Sequence, residues 1–214
     1  MSALKFRLAK PSDADQIARV HYKIRDQYNQ GFFQHVNFAF MKQYYKIVLD
    51  DPCELFVCAE DGKQNIVGFC CATMDVERQF KNTRKNKYKL VIPLLLSACR
   101  HPRLLKDAWD RYKSTDEHSD KSFVSGSGAR AEYWVWLPGR DDSEQSVVMQ
   151  DIMYYMMKMF GVEKLYFEVD KVNKNVYKFH KINGAEEVKS FIMPDGRERV
   201  ELVYDMNTYN FKLK

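Results

Sequence analysis

Long apolar runs are scarce in this 214-residue chain. The longest, residues 90–99, contains Pro93 and Ser97 and has about half the length of a bilayer span, so a bundle of membrane helices is excluded. Six prolines and nine glycines are too few for a collagen-like or linker-like polymer. The five cysteines are an odd number, none stands in C-x-x-C, and Cys70 and Cys71 are adjacent. Neither a disulfide framework nor a metal cluster is therefore expected. Residues 1–7 have no apolar core, so no secretory leader is expected and a reducing cytoplasm is the expected compartment. No single-sign tail is present. The formal charge of +5 suits an anionic ligand but is too small to imply nucleic acid. What is there is ordinary for a folded chain: 45% hydrophobic and 29% charged residues. Length and composition together predict one domain over residues 1–214, with an insertion.

The apolar pattern alternates between two periods. Residues 4–8 read as a strand, and Pro11-Ser12-Asp13 opens a helix with Ile17, Val20, His21 and Ile24 on one face. Gly31 breaks it. Residues 38–49 make a second helix that Asp50-Asp51-Pro52 ends. Residues 54–60 and 66–74 form a hairpin across an Asp61-Gly62 turn. A basic stretch follows, with Arg78, Lys81, Arg84, Lys85, Lys87 and Lys89, and Arg100 beyond the apolar run. Residues 90–99 and 104–112 read as two helical pieces, and the polar, Gly- and Ser-containing residues 114–128 as a mobile loop. Then come an aromatic strand (131–137), a Met-rich helix (147–160) stopped by Gly161, a strand (165–169) interrupted only by Glu168, a helix (173–183) closed by Gly184, and a final hairpin (187–205). This mixture predicts an α/β (α+β) fold: a mixed, mostly antiparallel twisted sheet flanked by helices, with a helical insertion near residues 78–128.

That order resembles the GNAT superfamily of N-acetyltransferases over nearly the whole chain. The best local match is the second half. There Ala131-Glu132 opens the central strand, Gly161-Val-Glu-Lys-Leu-Tyr-Phe-Glu-Val169 gives the next, and Asn173-Lys-Asn-Val-Tyr-Lys-Phe-His-Lys-Ile-Asn-Gly184 is similar to the family pattern N-x-x-A-x-x-F-Y-x-K-x-G-F. The resemblance implies acetyl transfer from acetyl-CoA (coenzyme A) to a primary amine of a small molecule. The pantetheine arm would lie in a gap between the central strand and the next, and the pyrophosphate on backbone N–H groups at the start of the following helix. The insertion and the tail Phe191-Ile-Met-Pro-Asp-Gly-Arg197 resemble a bacterial subgroup associated with surface sugars, which implies a nucleotide-linked amino sugar as one acceptor.

Carried over residue by residue, the resemblance makes Glu132 the general base, against the alternative of a carboxylate solvated or paired with Arg130. His180 stands where the family has a tyrosine acid; an imidazole can protonate a thiolate, or be an exposed helix histidine. Asn173 caps its helix and would touch coenzyme A. Tyr177 joins it as a cofactor contact, as do Leu137, Arg140, Ser143, Gln145, Ser146 and Val147 in the phosphate turn. That turn departs from the family pattern: it has no glycine after Gly139, and Asp141, Asp142 and Glu144 stand where an anion should bind. The departure supports an alternative, a GNAT-fold module that has lost acetyl-CoA binding. The basic insertion reads as a lid, as a peripheral membrane contact, or as extra core with a solvated edge. No nucleic-acid partner is expected, and a homodimer is left open.

Overall fold

The computed structural model describes residues 4–27, 31–114, 127–193 and 196–211. Residues 115–126 of the expected mobile loop and the Pro194-Asp195 turn lie outside the described residues. Seven strands form one sheet in the order β1-β2-β3-β4-β5-β7-β6. They are β1 (Lys5–Leu8), β2 (Glu54–Glu60), β3 (Ile66–Thr73), β4 (Ala129–Trp136), β5 (Lys164–Asp170), β6 (Glu186–Ile192) and β7 (Glu198–Asp205). Every neighbouring pair is antiparallel except β4 with β5.

The expected helices are present: α1 (Ala14–Ile24), α3 (Phe38–Val48), α5 (Tyr88–Ala98), α6 (Arg103–Ser114), α7 (Gln145–Met159) and α8 (Lys174–Ile182). Two were not anticipated. The one-turn α2 (Phe32–His35) follows Gly31, whose φ of 126° suits glycine alone. Helix α4 (Val76–Lys85) occupies the basic stretch; Asp75 caps it, its carboxylate accepting from Arg78 N–H at 3.0 Å. Asn37 caps α3 in the same way through Phe40 N–H at 2.8 Å. Gly184 ends α8 as expected, with φ 90° and Ala185 N–H donating to the His180 carbonyl at 3.0 Å.

Both faces of the sheet are covered, so β3 is buried along its whole length. Ile17, Met41, Tyr45 and Phe69 centre the core under α1 and α3; Met149, Met153, Met157, Leu165 and Leu202 centre the one under α7. Of the methionines expected to pack, Met149, Met153 and Met157 are buried, whereas Met159 is exposed. All five cysteines are free thiols. On β3, Gly68 lies against the ring of Trp136. A Cβ there would stand 2.2 Å from Trp136 Cε3 and 2.9 Å from the Val135 carbonyl oxygen. Gly68→Ala is therefore expected to lower stability by about 1–3 kcal/mol, read by chemical denaturation, with a shifted indole emission as the ring moves.

Candidate active site

Strands β4 and β5 are paired at one end only. Ala129 faces Leu165 and Arg130 faces Tyr166; beyond them the two parallel strands part. A slot of about 290 Å³ opens where their ladder would have continued, walled by Trp134 of β4, Met153 of α7, Phe167 of β5 and His180 of α8. The edge of β4 that faces β5 thus offers extended-chain hydrogen bonds to a ligand. A second cavity, about 560 Å³, lies between β4 and helices α4–α6. Glu132, Tyr133, Glu168 and Arg199 line both, so the two volumes meet there.

Glu132 reaches that junction because β4 is bulged. Cys71 of β3 faces Tyr133, but the next residue, Ala72, faces Ala131, which leaves Glu132 without a register partner. Bulges re-aim side chains in this way. The Glu132 carboxylate accepts from Arg130 Nη2 at 2.6 Å, and both side chains are about nine-tenths buried. The pairing named as the alternative role of Glu132 is thus present. It engages Oε1; among the described residues Oε2 has no hydrogen bond. Arg130 also donates to Gln79 Oε1 at 3.1 Å, and Gln79 donates to Glu54 Oε2 at 3.2 Å. Burial, with the negative Glu132 nearby, pushes the Glu54 carboxyl well above the usual carboxylate range.

His180 is buried, not on the exposed helix face. Its Nδ1 shares a hydrogen bond with the Tyr204 hydroxyl at 2.9 Å, and the ring packs 4.4 Å from that of Phe167. Burial lowers its pKa to about 4, so the ring is neutral at pH 7. The Tyr204 hydroxyl also lies 3.3 Å from the His180 carbonyl oxygen: when it donates there, Nδ1–H donates to Tyr204, and when it turns to Nδ1 the proton is on Nε2 and available to the slot. Asn173, also lining the slot, caps α8 through Val176 N–H at 3.3 Å. Tyr177 lines neither cavity; its hydroxyl donates to Glu187 of β6.

The phosphate turn is tied to itself. Arg140 forks onto Asp142, Nε to Oδ1 at 2.8 Å and Nη2 to Oδ2 at 2.5 Å. Backbone N–H groups of Gln145, Ser146 and Val147 donate to the carbonyls of Asp142, Ser143 and Glu144. The hydroxyl of Ser146 donates to the Ser143 carbonyl at 2.6 Å. Leu137 continues the β3 ladder, donating to the Val67 carbonyl at 2.9 Å. None of these residues lines either cavity. The structure therefore gathers Glu132, His180 and Asn173 around the split and leaves Leu137, Arg140, Ser143, Gln145, Ser146, Val147 and Tyr177 outside its lining.

Sequence reading missed three groups. Glu168 lies across the junction from Glu132; its Oε2 accepts from Arg199 Nη1 at 2.6 Å, and its buried Oε1 has no hydrogen bond. An acid interrupting an apolar strand was its signal. Glu54, at the first position of β2, gave none. Tyr133, inside the aromatic strand, is half-buried where it lines both cavities and stays a phenol, its pKa raised by desolvation and by the nearby Glu132.

No protein-family model matches the sequence, and no curated protein matches it. Solved structures do. A GNAT-family acetyltransferase of Desulfovibrio desulfuricans is 12% identical with a TM-score of 0.57, covering 95% of this chain and 99% of its own. A variant of the spermidine N-acetyltransferase SpeG of Vibrio cholerae is 11% identical with a TM-score of 0.55, over 99% and 98%. NAA60 of Arabidopsis thaliana, solved with acetyl-CoA, is 13% identical with a TM-score of 0.55, over 96% and 99%. At such identities the likeness is one of architecture, and it agrees with the parted strands and the motif order: the chain has the fold of the GNAT N-acetyltransferases.

Proposed function

We propose that the protein is an acyl-CoA-dependent N-acetyltransferase that moves an acetyl group from acetyl-CoA to a primary amine of a small molecule. One observation carries this reading: β4 and β5 part at a slot whose inner end meets a second cavity at the Glu132 carboxylate. The thioester enters along the free edge of β4, and the amine arrives from the larger cavity. Glu132, through Oε2, takes the proton that the ammonium must lose before its nitrogen attacks the thioester carbonyl. The C–N bond forms as the C–S bond breaks, and the leaving thiolate takes a proton. Neutral His180 supplies it in the tautomer with the proton on Nε2, reached when the Tyr204 hydroxyl turns from the His180 carbonyl to Nδ1; the Tyr133 phenol is a second donor lining the slot. Asn173 and the N-terminal end of α8 contribute backbone polarity beside the slot.

The larger cavity supports an acceptor with a flat body and an anionic part. Phe40, Phe80 and Trp109 offer apolar and aromatic walls, and Arg84 and Lys87 lie 5.1 and 4.9 Å from the ring of Tyr112. A nucleotide-linked amino sugar would use both, its base on the rings and its phosphates on the cations.

The first test is a thermal shift with acetyl-CoA. A ligand held by the folded state alone, at about 100 times its Kd, stabilises by about 2.7 kcal/mol, or about 5–10 °C for a chain of this length. Free-thiol release on adding an amine then reports transfer. An unmoved melting temperature at high acetyl-CoA would overturn the reading.

A further inference from the structure

The insertion presents an apolar face that nothing among the described residues covers. On α5, Tyr88, Ile92, Leu95 and Leu96 are 67%, 70%, 50% and 59% exposed. At 100° per residue they occupy one side of the helix, while Leu90, Ser97 and Ala98 on the other side are buried. These four line neither cavity, so the acceptor site does not explain them. Apolar side chains at such spacing normally face a core, and a contiguous exposed group of them marks a contact surface.

The charge along this stretch of chain is one-sided, up to Asp107 and Asp110 of α6. Residues 78–106 hold nine of the chain's 34 Lys and Arg and none of its 29 Asp and Glu, so the remainder of the chain carries a formal −4. Lys89 lies on the flank of the face, three residues before Ile92 and seven before Leu96. Lys85 precedes α5, and Arg100 and Arg103 follow it. The helix is too short to span a bilayer, and no helix among the described residues is long and apolar enough to do so.

We propose that this face docks on an anionic lipid surface, with Tyr88, Ile92, Leu95 and Leu96 entering the headgroup boundary and the surrounding Lys and Arg against lipid phosphates. Apolar side chains lying in the plane of a basic rim are the composition of an interfacial helix. A second copy of the chain is the poorer occupant. A twofold interface sets the same patch against itself, and here that would face two positive stretches toward each other. A polyanion without an apolar part would leave the four apolar side chains in water.

Co-sedimentation with vesicles tests the proposal on the full chain. Wild type is expected to bind phosphatidylcholine vesicles containing phosphatidylglycerol, to bind pure phosphatidylcholine about tenfold less, and to be released by salt. Ile92→Glu with Leu96→Glu is expected to abolish binding, and Lys85→Glu with Lys89→Glu to weaken it about tenfold or more. These side chains are on the surface, so the melting temperature and the acetyl-CoA shift should be unchanged in both variants. Ile92→Ser replaces the acidic pair should that pair fail to fold, and is expected to weaken binding. Three results would overturn the proposal: no binding by wild type; binding that survives loss of the apolar side chains but not charge reversal, which indicates a polyanion; or a dimer in light scattering that Ile92→Glu dissociates, which indicates a second copy.

Discussion

Glu132→Gln is expected to reduce acetyl transfer by about 100- to 1,000-fold, with acetyl-CoA affinity unchanged. The glutamine keeps an amide oxygen where Oε1 accepts from Arg130 at 2.6 Å, so the bulge and the buried guanidinium retain a partner. It does not keep a group that can take a proton from the acceptor ammonium. The loss should therefore appear in kcat, and it should shrink as pH rises and more acceptor arrives already deprotonated. A stability cost of about 1–3 kcal/mol accompanies it, because a neutral amide compensates the Arg130 charge less well. Rates are therefore compared well below the melting temperature, with the acetyl-CoA thermal shift confirming an intact slot. Wild-type turnover in the variant would assign the base elsewhere, with Glu168 across the junction next in line.

Glu54→Gln is expected to make the chain less sensitive to alkaline pH. Folding holds the Glu54 carboxyl neutral well above its ordinary value of 4.5, because it is buried and faces Glu132. From about pH 4.5 upward, the unfolded chain gives up this proton while the folded chain keeps it. The folded state then binds more protons, so this group's contribution falls as pH rises, up to its folded pKa. Below about pH 4.5 both states are protonated and the contribution is complete. The variant has no proton to lose. Its stability relative to wild type should grow from near zero at pH 4.5 to about 1–3 kcal/mol at pH 8, by denaturation at both values. Parallel pH profiles for the two proteins would show that Glu54 ionises as readily folded as unfolded.

These two carboxylates show where sequence reading stopped. Glu132 was legible because it opens an aromatic strand in a known motif order. Its direction was not legible, since that depends on one unpaired residue against β3. Glu54 looked like any acid at a strand start; only the packing of α4 on β2 buries it beside Gln79. Helix α4 escaped notice because it buries little beyond Val76 and Gln79, so the period of its apolar residues was too weak to read. His180 could be read as exposed or functional with equal right until Phe167 and Tyr204 closed over it. The phosphate turn was marked as atypical by its missing glycines, while the fork between Arg140 and Asp142 that ties it down depends on the path of the chain.

The sequence alone determined the order of the strands and of six of the helices, the helix stops at Gly161 and Gly184, the Met-rich core and the basic run over residues 78–89. All of these are local: periodicity, capping and turn chemistry act within a few residues. The tertiary structure alone decided the parting of β4 from β5, the turning of Glu132 toward Arg130, and the exposure of Ile92 and Leu96 in place of burial. Each depends on which distant segment packs against which, and a buried ladder, an ion pair or an uncovered helix face has no signature within one segment of chain.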